Sequence, residues 1–509
     1  MRAIVGIDIG TSGTKTALFT EGGELIASYT GEYPMHQPYN GWAEQDPKDW
    51  WDATVKGLET VLYEARQHDS ALEIAGVGLS GQMHGLVMLD ADGVVLRPSI
   101  IWCDQRTERE VEYMNKIVGR EKLIRVTANP AMTGFTAAKI LWVRSNEPDV
   151  YARCAHILLP KDYIRYKLTG EFATEVSDAA GMQLMDIPKR NWSDEILGLL
   201  GIDRSLLAKM YESPDVTGQV HARAAAETSL PEGTIVVGGA GDNPAAAVGT
   251  GVVSAGVAFT TIGSSAVVYA VSEEVKIDLE GRVHTLCASA PGKWTVMSCT
   301  QGAGISLKWL RDTCCLPEIL EAEKLDVDPY VVMDKLAAEI VPGSDRLIFL
   351  PYMMGERSPH PDPDCRGVFF GLSAMHGRPH LIRSVLEGVA FSQLECVEVF
   401  REMGVPVGDM VVTGGGSKSD LWSQMLADLY GCPVSGMKSD EGAALGAALL
   451  AAVGAGIYDT VQEACATVVK RGDTLTPDPT KKEAYAPYFE LYKKLYRTMK
   501  DDFRTLSRL

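Results

Sequence analysis

Short apolar runs alternate along the chain with segments whose apolar side chains recur at helical spacing. Residues 4–9, 74–79 and 234–237 are apolar and contain β-branched side chains, which predicts buried strands. The start signal Asp46-Pro47 opens a segment that extends to residue 62. This segment carries apolar side chains every three or four positions, which predicts a helix. Strands that alternate with helices indicate an α/β protein.

The first strand opens a β-meander whose first turn is rich in Gly and hydroxyl groups. Residues 16–19 and 25–29 predict the second and third strands, and residues 10–15 form the turn between the first two. This turn is not a Walker P-loop, because a strand and not a helix follows it. A plain hairpin is one interpretation. Phosphate binding is the other, since small residues let backbone N–H donors approach an anion.

An acidic residue stands where a Gly-rich turn meets a predicted helix start. Residues 239–244 read Gly-Ala-Gly-Asp-Asn-Pro, and helix formers fill positions 245–248. With Pro244 at the first helical position, Asp242 lies where backbone N–H groups favour negative charge. Two interpretations remain: Asp242 only caps the helix, or it acts on a substrate that arrives beside phosphate.

Polar residues also follow two apolar segments at their ends. Residues 80–85 follow one predicted strand, and residues 103–106 follow the apolar run 100–102. The carboxyl edge of strands is where α/β sheets place ligands, so both clusters are candidates for a substrate site. His84 is equally consistent with a buried histidine whose hydrogen bonds are satisfied inside the fold.

The second half of the chain repeats the pattern of the first. Residues 256–262 and 266–270 predict two strands, and the turn 263–265 between them carries hydroxyl groups as the first turn does. Together with the usual size limit of a domain, this repeat places a boundary just after Gly251. The two predicted domains are residues 1–251 and 252–509.

Three later segments carry further patterns. Residues 413–419 join a strand at 410–412 to a helix at 420–428 through three consecutive glycines, a shape that suits nucleotides. Small residues at 441–448 predict a helix on which another backbone packs closely. An aromatic stripe at helical spacing predicts that the last helix docks on the core. This stripe comprises Tyr485, Phe489, Tyr492, Tyr496 and Met499.

Composition and charge narrow the functional classes. The chain has 509 residues, which suggests two to four domains, and a net charge of −19. An acidic surface repels nucleic acid and anionic membranes, so neither is an expected partner. The ten cysteines form no C-x-x-C pair, no apolar run is long enough to span a bilayer, and the N-terminus carries no signal pattern. These features favour a cytoplasmic protein.

Several motifs resemble the FGGY carbohydrate kinases, which belong to the actin/Hsp70/sugar-kinase superfamily. One family pattern fits residues 367–372 and, seven residues later, residues 380–387. A second pattern fits the Lys-x-x-Trp core at 139–142. Within the family, four segments are most similar to the members that act on D-xylulose: residues 81–85, 159–163, 177–181 and 241–243. The resemblance runs nearly end to end.

The resemblance implies a fold and a reaction. The implied fold is α/β, with two RNase H-like domains, each a five-stranded mixed sheet flanked by helices, and a cleft between them. The implied reaction transfers phosphate from ATP to the 5-hydroxyl of D-xylulose in the presence of Mg²⁺. Asp242 is expected to take the hydroxyl proton, for which an ordinary Asp pKa suffices, and Asp8 is expected to hold Mg²⁺ through water. Many relatives are dimers, so the resemblance leaves a homodimer open.

The other expected site residues follow from the same resemblance. The turns at 10–14 and 263–265 would clasp the phosphates from opposite domains, and residues 414–419 would face the adenosine. The expected nucleotide-binding residues are Thr11, Ser12, Gly13, Thr14, Lys15, Gly263, Ser264, Ser265, Gly304, Gly415, Gly416 and Ser419. The expected sugar-binding residues are Gln82, Met83, His84, Trp102, Asp104 and Asn243.

Three other functions compete with this interpretation. An Hsp70-like or actin-like ATPase would use the same turns, but the sequence gives no sign of a peptide-binding domain, and the cluster at 82–84 would have no task there. A sugar-sensing regulator without catalysis is disfavoured, because both Asp8 and Asp242 are present. A kinase of the same family for another pentulose such as L-ribulose, a polyol, or a sugar acid such as gluconate is the nearest alternative.

Overall fold

The computed structural model describes residues 2–439 and 441–509, so Met1 and Asp440 lie outside the described residues. The first half of the chain builds one large sheet. Its strands are β1 (Arg2–Ile9), β2 (Gly13–Thr20), β3 (Leu25–Glu32), β4 (Glu73–Gly81), β5 (Val216–Gln219), β6 (Ile235–Val237) and β7 (Ala240–Gly241). They lie in the order β5-β6-β4-β1-β2-β3, and β7 pairs with β4. The predicted meander is confirmed, since β1, β2 and β3 pair antiparallel in succession.

The second half builds a sheet of the same design. Its strands are β8 (Gly256–Ile262), β9 (Ala266–Ser272), β10 (His284–Cys287), β11 (Trp294–Thr300), β12 (Val407–Thr413), β13 (Val434–Met437) and β14 (Arg471–Leu475). They lie in the order β10-β11-β9-β8-β12-β13-β14. As in the first sheet, the opening strand pairs antiparallel with the next strand and parallel with a distant one, here β12. The sequence repeat therefore corresponds to a repeated topology.

The expected five strands per sheet are present, but each described sheet has seven. The central five run β3-β2-β1-β4-β6 in one sheet and β11-β9-β8-β12-β13 in the other. In the first sheet the additional strands are β5 at one edge and the two-residue β7 beside β4. In the second sheet they are β10 and β14, one at each edge. Short edge strands give little hydrophobic periodicity, so the sequence pattern does not indicate them.

Helices surround both sheets. They are α1 (Pro47–His68), α2 (Glu108–Ile117), α3 (Arg120–Thr127), α4 (Thr136–Asn146), α5 (Pro148–Arg153), α6 (Pro160–Thr169), α7 (Val176–Ala179), α8 (Asp194–Leu200), α9 (Ala222–Thr228), α10 (Asp242–Gly249), α11 (Gly304–Cys314), α12 (Leu316–Leu325), α13 (Pro329–Ala338), α14 (Arg378–Glu402), α15 (Asp420–Tyr430), α16 (Gly442–Gly454), α17 (Val461–Val468) and α18 (Pro479–Leu506). Three 3₁₀ turns lie at Ala180–Met182, Arg204–Leu206 and Gly415–Lys418.

Five two-stranded pairs complete the described secondary structure. They are Glu44–Gln45 with Ser99–Ile100, Val87–Leu89 with His156–Leu158, Ala173–Glu175 with Lys209–Tyr211, Met185–Asp186 with Asn191–Trp192, and Ile348–Leu350 with Val368–Phe370. Most of these pairs lie between β4 and β5, in the long insertion that carries α2 to α8.

Helix α16 packs its backbone directly against the first sheet and α10. A Cβ atom built on Gly78 of β4 would lie 1.8 Å from the carbonyl oxygen of Ala447. A Cβ on Gly446 would lie 1.9 Å from the carbonyl oxygen of Ala245 in α10. The close packing predicted for residues 441–448 is therefore confirmed. Helix α16, from the second half of the sequence, therefore packs on the first sheet. The domain boundary just after Gly251 stays a prediction.

The aromatic stripe of α18 faces the core of the second half. Tyr485, Phe489, Tyr492 and Tyr496 are buried, and Met499 packs against the same core while partly exposed. The docking predicted for this helix is confirmed. Among the described residues, no helix combines the length and the apolar character needed to cross a membrane.

Candidate active site

The turn between β1 and β2 is shorter than the sequence predicts. Strand β2 begins at Gly13, so Thr14 and Lys15 pair with Ile9 and Asp8 in the β-ladder and do not belong to the turn. The turn closes where the Gly10 N–H donates to the carbonyl oxygen of Gly13 at 3.0 Å. Thr14 suits a strand because it is β-branched, and Lys15 continues the ladder opposite Asp8. The residues of the turn itself are 10–12.

Two residues expected at the sugar lie against this turn. The Gln82 amide donates to the carbonyl oxygen of Gly10 at 3.3 Å and to the Gln45 side-chain oxygen at 2.8 Å. The Trp102 indole N–H donates to the hydroxyl of Thr11 at 2.9 Å. Gln82 is 1% exposed, whereas Trp102 is 42% exposed. Gln82 therefore supports the backbone of the turn from inside the fold.

Asp8 stands beside the turn with little stabilisation of its charge. Its Oδ1 accepts a hydrogen bond from the Ser80 hydroxyl at 2.8 Å. Burial raises the pKa of Asp8, while this hydrogen bond and the Lys15 charge act in the opposite direction. The ammonium of Lys15 forms an ion pair with Glu441 at 2.7 Å. Lys15 thus ties β2 to the residue that precedes α16.

Asp242 is the first residue of α10, and the expectation that Pro244 would open the helix is wrong. Gly241 supplies the extended residue before the helix, so Asp242 takes up a helical conformation itself. Its Oδ1 accepts hydrogen bonds from the Asn243 backbone at 2.6 Å and from the Asn243 side chain at 2.9 Å. Among the described residues, no group donates to its Oδ2. Asn243 therefore fixes one carboxylate oxygen and leaves the second available.

The pKa of Asp242 is not ordinary. Burial raises it most, the neighbouring Asp8 charge raises it further, and the hydrogen bonds from Asn243 lower it, with a result of about 7. A nearby carboxylate charge disfavours ionisation of a second carboxyl group. An ordinary Asp pKa would suffice for the expected role, and the pKa in the structure is higher, mainly because the carboxyl group is buried.

The second half of the chain approaches Asp242 through β11. The pKa of the Cys299 thiol on β11 is raised mainly by burial, and the charges of Glu356 and Asp242 raise it further against the opposing effect of Arg357. Asp242 therefore lies within electrostatic reach of a strand of the other sheet. Its charge therefore acts on a residue of the second half of the chain.

Met83 and His84 line the first-half side of this junction. A Cβ on Gly241 would lie 2.7 Å from Cγ of Met83, so Met83 packs directly on the turn before Asp242. The His84 ring stacks on Phe135 with centroids 4.3 Å apart, and its Nδ1 lies 3.0 Å from the carbonyl oxygen of Gly181. Among the described residues, Nε2 of His84 has no hydrogen-bond partner. His84 is thus only half satisfied inside the fold.

Both carboxylate oxygens of Asp104 accept hydrogen bonds from other groups of the protein. Its Oδ2 accepts from the Ala43 N–H at 2.6 Å and from the Arg106 guanidinium at 2.7 Å. Its Oδ1 accepts from the Arg106 backbone at 2.9 Å, and the side chain is fully buried. The structure therefore uses this carboxylate to join two loops, which differs from the expected contact with a sugar.

A cleft of about 480 Å³ opens in the second half. It gathers six residues expected at the nucleotide: Gly263, Ser264, Gly304, Gly415, Gly416 and Ser419. Ser265 belongs to the same turn but does not line the cleft. Further lining residues that the sequence patterns do not single out lie on helices α11, α13 and α15, among them Lys308, Tyr330, Asp334 and Trp422.

The turn at 263–265 is attached to the start of α11. The Gly304 N–H donates to the carbonyl oxygen of Gly263 at 2.8 Å, and the Ile305 N–H donates to that of Ser264 at 3.1 Å. The N-terminal end of α11 therefore lies directly beside the cleft. Helix N-termini favour negatively charged ligands such as phosphates.

Comparison with known proteins assigns this architecture to a family. The N-terminal domain of the FGGY family of carbohydrate kinases matches residues 3–249, and the C-terminal domain of that family matches residues 258–455. The chain therefore belongs to the FGGY family of carbohydrate kinases, and it is an ATP-dependent sugar kinase by membership.

Relatives cover nearly the whole chain. It is 37% identical to a xylulose kinase of Escherichia coli over 496 residues, which cover 97% of this chain and 99% of the relative. It is 36% identical to a xylulose kinase of Bacillus subtilis over 501 residues, which cover 98% of both. The solved structure of a xylulose kinase from Rhodospirillum rubrum matches with a TM-score of 0.91 at 32% identity, covering 99% of this chain and 100% of that one.

Proposed function

We propose that this protein transfers the γ-phosphate of ATP to the 5-hydroxyl of D-xylulose and that Asp242 is the general base. One observation carries the proposal. The Asp242 carboxylate has one oxygen that no described residue engages, it lies within electrostatic reach of Asp8 and of Cys299 on β11, and its pKa of about 7 suits proton uptake near neutral pH. The full-length similarity to xylulose kinases supports D-xylulose as the substrate.

The reaction needs an acceptor for the proton of the sugar hydroxyl and a route for the γ-phosphate from ATP to the sugar oxygen. As the sugar oxygen bonds to the γ-phosphorus, its proton moves to Oδ2 of Asp242. The bond from that phosphorus to the bridging oxygen breaks, and ADP leaves. Asn243 holds Oδ1 through two hydrogen bonds, so Oδ2 keeps a fixed direction during the transfer. Positioning of this kind is the main contribution of a protein to phosphoryl transfer.

The residues near Asp242 fit a magnesium ion held partly by phosphate. Asp8 has an oxygen that accepts no hydrogen bond from the described residues, and it lies close enough to raise the pKa of Asp242. No cluster of three or more His, Cys, Asp or Glu residues among the described ones could hold a metal by itself. Mg²⁺ keeps several waters and binds one or two carboxylates plus phosphate. Asp8 would hold the ion, whose chemistry is to neutralise phosphate charge.

Two further assignments follow from the same proposal. The cleft at 263–265, Gly304 and 415–419 would bind ATP, with the N-terminal end of α11 toward the phosphates. Met83 and His84 would contact the sugar.

All ten cysteines are unpaired, which supports the reducing cytoplasm as the location. A homodimer stays a prediction.

A sugar acid is the nearest rival substrate, since the chain is also 30% identical to a gluconokinase of Bacillus subtilis. His84 disfavours it. Burial, followed by the charges of Lys139 and Arg357, holds the pKa of His84 well below its usual range, so the ring is neutral. With its Nδ1 proton donated to Gly181, the free Nε2 is an acceptor. An acceptor attracts a hydroxyl group, which ketoses and sugar acids both carry, and it disfavours a sugar acid only in a binding mode that places the carboxylate at His84.

A substrate panel tests the proposal. ADP release should be measured by a coupled assay with D-xylulose, L-ribulose, D-ribulose, glycerol and gluconate, and the phosphorylated carbon should be identified by ³¹P-coupled NMR. We expect the highest kcat/KM with D-xylulose and phosphate on carbon 5. Higher kcat/KM with gluconate would assign the protein to the rival substrate, and ADP release that no sugar stimulates would exclude a sugar kinase.

The pH dependence of kcat/KM reports on the base. Asp242 must be ionised to accept the proton, so kcat/KM of the free enzyme should fall as the pH drops through about 7. The pKa values of His84 and His284 lie well below 6.5, mainly because of burial, so neither accounts for this limb. In the Asp8→Asn variant the midpoint should move to lower pH. An unmoved midpoint would mean that Asp242 is not the titrating group.

The Gly415→Val variant tests the nucleotide cleft. A Cβ on Gly415 meets no atom within 4 Å, so the added side chain would fill the cleft without disturbing the fold. We expect the KM for ATP to rise at least about tenfold, the equivalent of roughly 1.4 kcal/mol, while the affinity for sugar is unchanged. The control is Gly436→Val, where a Cβ likewise meets nothing but which lies in strand β13. An unchanged KM for ATP in Gly415→Val would place ATP elsewhere.

A further inference from the structure

A fully buried lysine joins two segments of the sugar side of the junction. The Lys139 ammonium, on α4, donates to the carbonyl oxygen of His84 at 2.8 Å and to that of Gly134 at 2.8 Å. The side chain is 0% exposed. Among the described residues, no carboxylate lies within ion-pair distance of it. A buried cation without a carboxylate partner is costly, so its two hydrogen bonds have a specific role.

The two carbonyl groups belong to the segments whose rings stack. His84 carries one ring, and Phe135, which directly follows Gly134, carries the other, with an interplanar angle of 26°. One ammonium therefore holds together the backbones on both sides of this stack. If the two segments separate, the His84 ring loses the surface on which it lies.

His84 also needs this support because its backbone is strained. Its φ angle is +68°, in the left-handed region that is unfavourable for a residue other than Gly. The carbonyl oxygen of His84 accepts a second hydrogen bond from the Thr136 hydroxyl at 3.1 Å. Two donors on α4 thus keep the peptide in this orientation, with the side chain turned toward the junction.

The charge of Lys139 also acts on the His84 ring. Besides burial, Lys139 and Arg357 lower the pKa of His84, and the hydrogen bond to Gly181 acts against them. The other ionisable ring close enough to interact is His284 of the second half, which is itself neutral. Burial lowers the pKa of Lys139 to about 7, with Asp104 and Cys103 acting in the opposite direction.

We propose that Lys139 is a positioning residue that holds the His84 ring in place as a neutral hydrogen-bond acceptor for a hydroxyl group of the sugar. This inference rests on the proposed function. In this role Lys139 acts through His84, whose carbonyl oxygen it binds, and is not itself a ligand of the sugar. The specificity for a hydroxyl over a carboxylate thus depends on a lysine in α4.

The Lys139→Met variant tests the proposal, since it keeps the length of the side chain and removes both hydrogen bonds and the charge. We expect the KM for D-xylulose to rise about tenfold or more, with kcat and the KM for ATP changed less than about threefold. The pKa of His84 should rise, as followed by imidazole NMR signals assigned with the His84→Asn variant. The KM for D-xylulose in Lys139→Met should then increase further as the pH falls toward 6.

Two companion variants separate geometry from charge. Thr136→Val removes one donor to the His84 carbonyl group and keeps the ammonium, so the KM for D-xylulose should rise less and the pKa of His84 should stay. Lys122→Met is the matched control, because Lys122 forms an exposed ion pair with Glu195 on the same half, and it should change neither quantity.

Failure of this inference and failure of the proposed function give different results. If the wild type phosphorylates D-xylulose and a folded Lys139→Met variant keeps its KM for the sugar, the positioning role is wrong. Equal losses in kcat and in both KM values would likewise contradict it, because they indicate a general structural defect. If the wild type phosphorylates no ketose, the proposed function fails, while the NMR titration still reports whether Lys139 controls the His84 ring.

Discussion

The Asp242→Asn variant is expected to lose turnover by about 10²-fold or more while it still binds D-xylulose. The amide keeps the shape of the side chain and one acceptor oxygen, so the contacts with Asn243 and the start of α10 are preserved. It cannot accept the proton of the sugar hydroxyl. The measurement is kcat in the coupled ADP assay, with sugar binding followed by calorimetry in the absence of ATP.

The matched control is Asp46→Asn, since Asp46 also stands at the start of a helix and its carboxylate accepts from the Lys48 N–H at 2.9 Å. The kcat of the Asp46→Asn variant should equal that of the wild type. Turnover of Asp242→Asn within about threefold of the wild type would remove Asp242 from the reaction and leave it as a helix cap.

A stability measurement separates loss of the base from damage to the fold. Because the pKa of Asp242 is raised in the folded protein, its ionised form opposes folding above about pH 7. This cost builds up as the pH rises from about 4, where the unfolded carboxyl group ionises, to about 7, where the folded one does. Asp242→Asn should therefore raise Tm at pH 8, by about 1–2 °C for each 1 kcal/mol relieved in a chain of this length, and should raise it progressively less as the pH is lowered toward 4. A lower Tm at pH 8 would indicate that the substitution damages the fold.

The strands around the two turns could be predicted because each is marked by local sequence. Residues 4–9 and 256–262 have the β-branched composition of buried strands, and a Gly-rich turn follows each of them. The repeat between them corresponds to two sheets with the same central strand order. The short additional strands could not be predicted, because strands such as β7, with two residues, are created by pairing and not by periodicity.

The chemistry of the site depends on contacts between residues far apart in the chain. The pKa of Asp242 is raised by burial and further by Asp8, which lies at the other end of the first half. Gln82 was expected at the sugar, and its hydrogen bond to Gln45, 37 residues away, explains why it supports the first turn. Lys139 lies 55 residues from His84. No local pattern marks such partners, so residue types could be assigned from sequence while their contacts could not.

The Gly78→Ala variant is expected to prevent stable folding. The added methyl carbon would lie 1.8 Å from the carbonyl oxygen of Ala447 in α16. The obstacle is backbone of a packed helix and not a flexible side chain, so either α16 or β4 must move. Overpacking commonly costs about 1–3 kcal/mol, and a backbone clash of this size should exceed that range. The measurement is the yield of folded protein at 37 °C, together with Tm by circular dichroism.

Gly442→Ala is the matched control within the same interface. Gly442 is the first residue of α16, and a Cβ there meets no atom within 4 Å. Ala favours the helix over Gly by up to about 1 kcal/mol, so this variant should be as stable as the wild type or more so. If Gly78→Ala were equally stable, α16 would not pack on the first sheet as described. The attachment of the second half of the chain to β4 would then need another explanation. Loss of folding in Gly78→Ala alone would instead show that the two halves are held together by direct backbone contact, which only small residues allow.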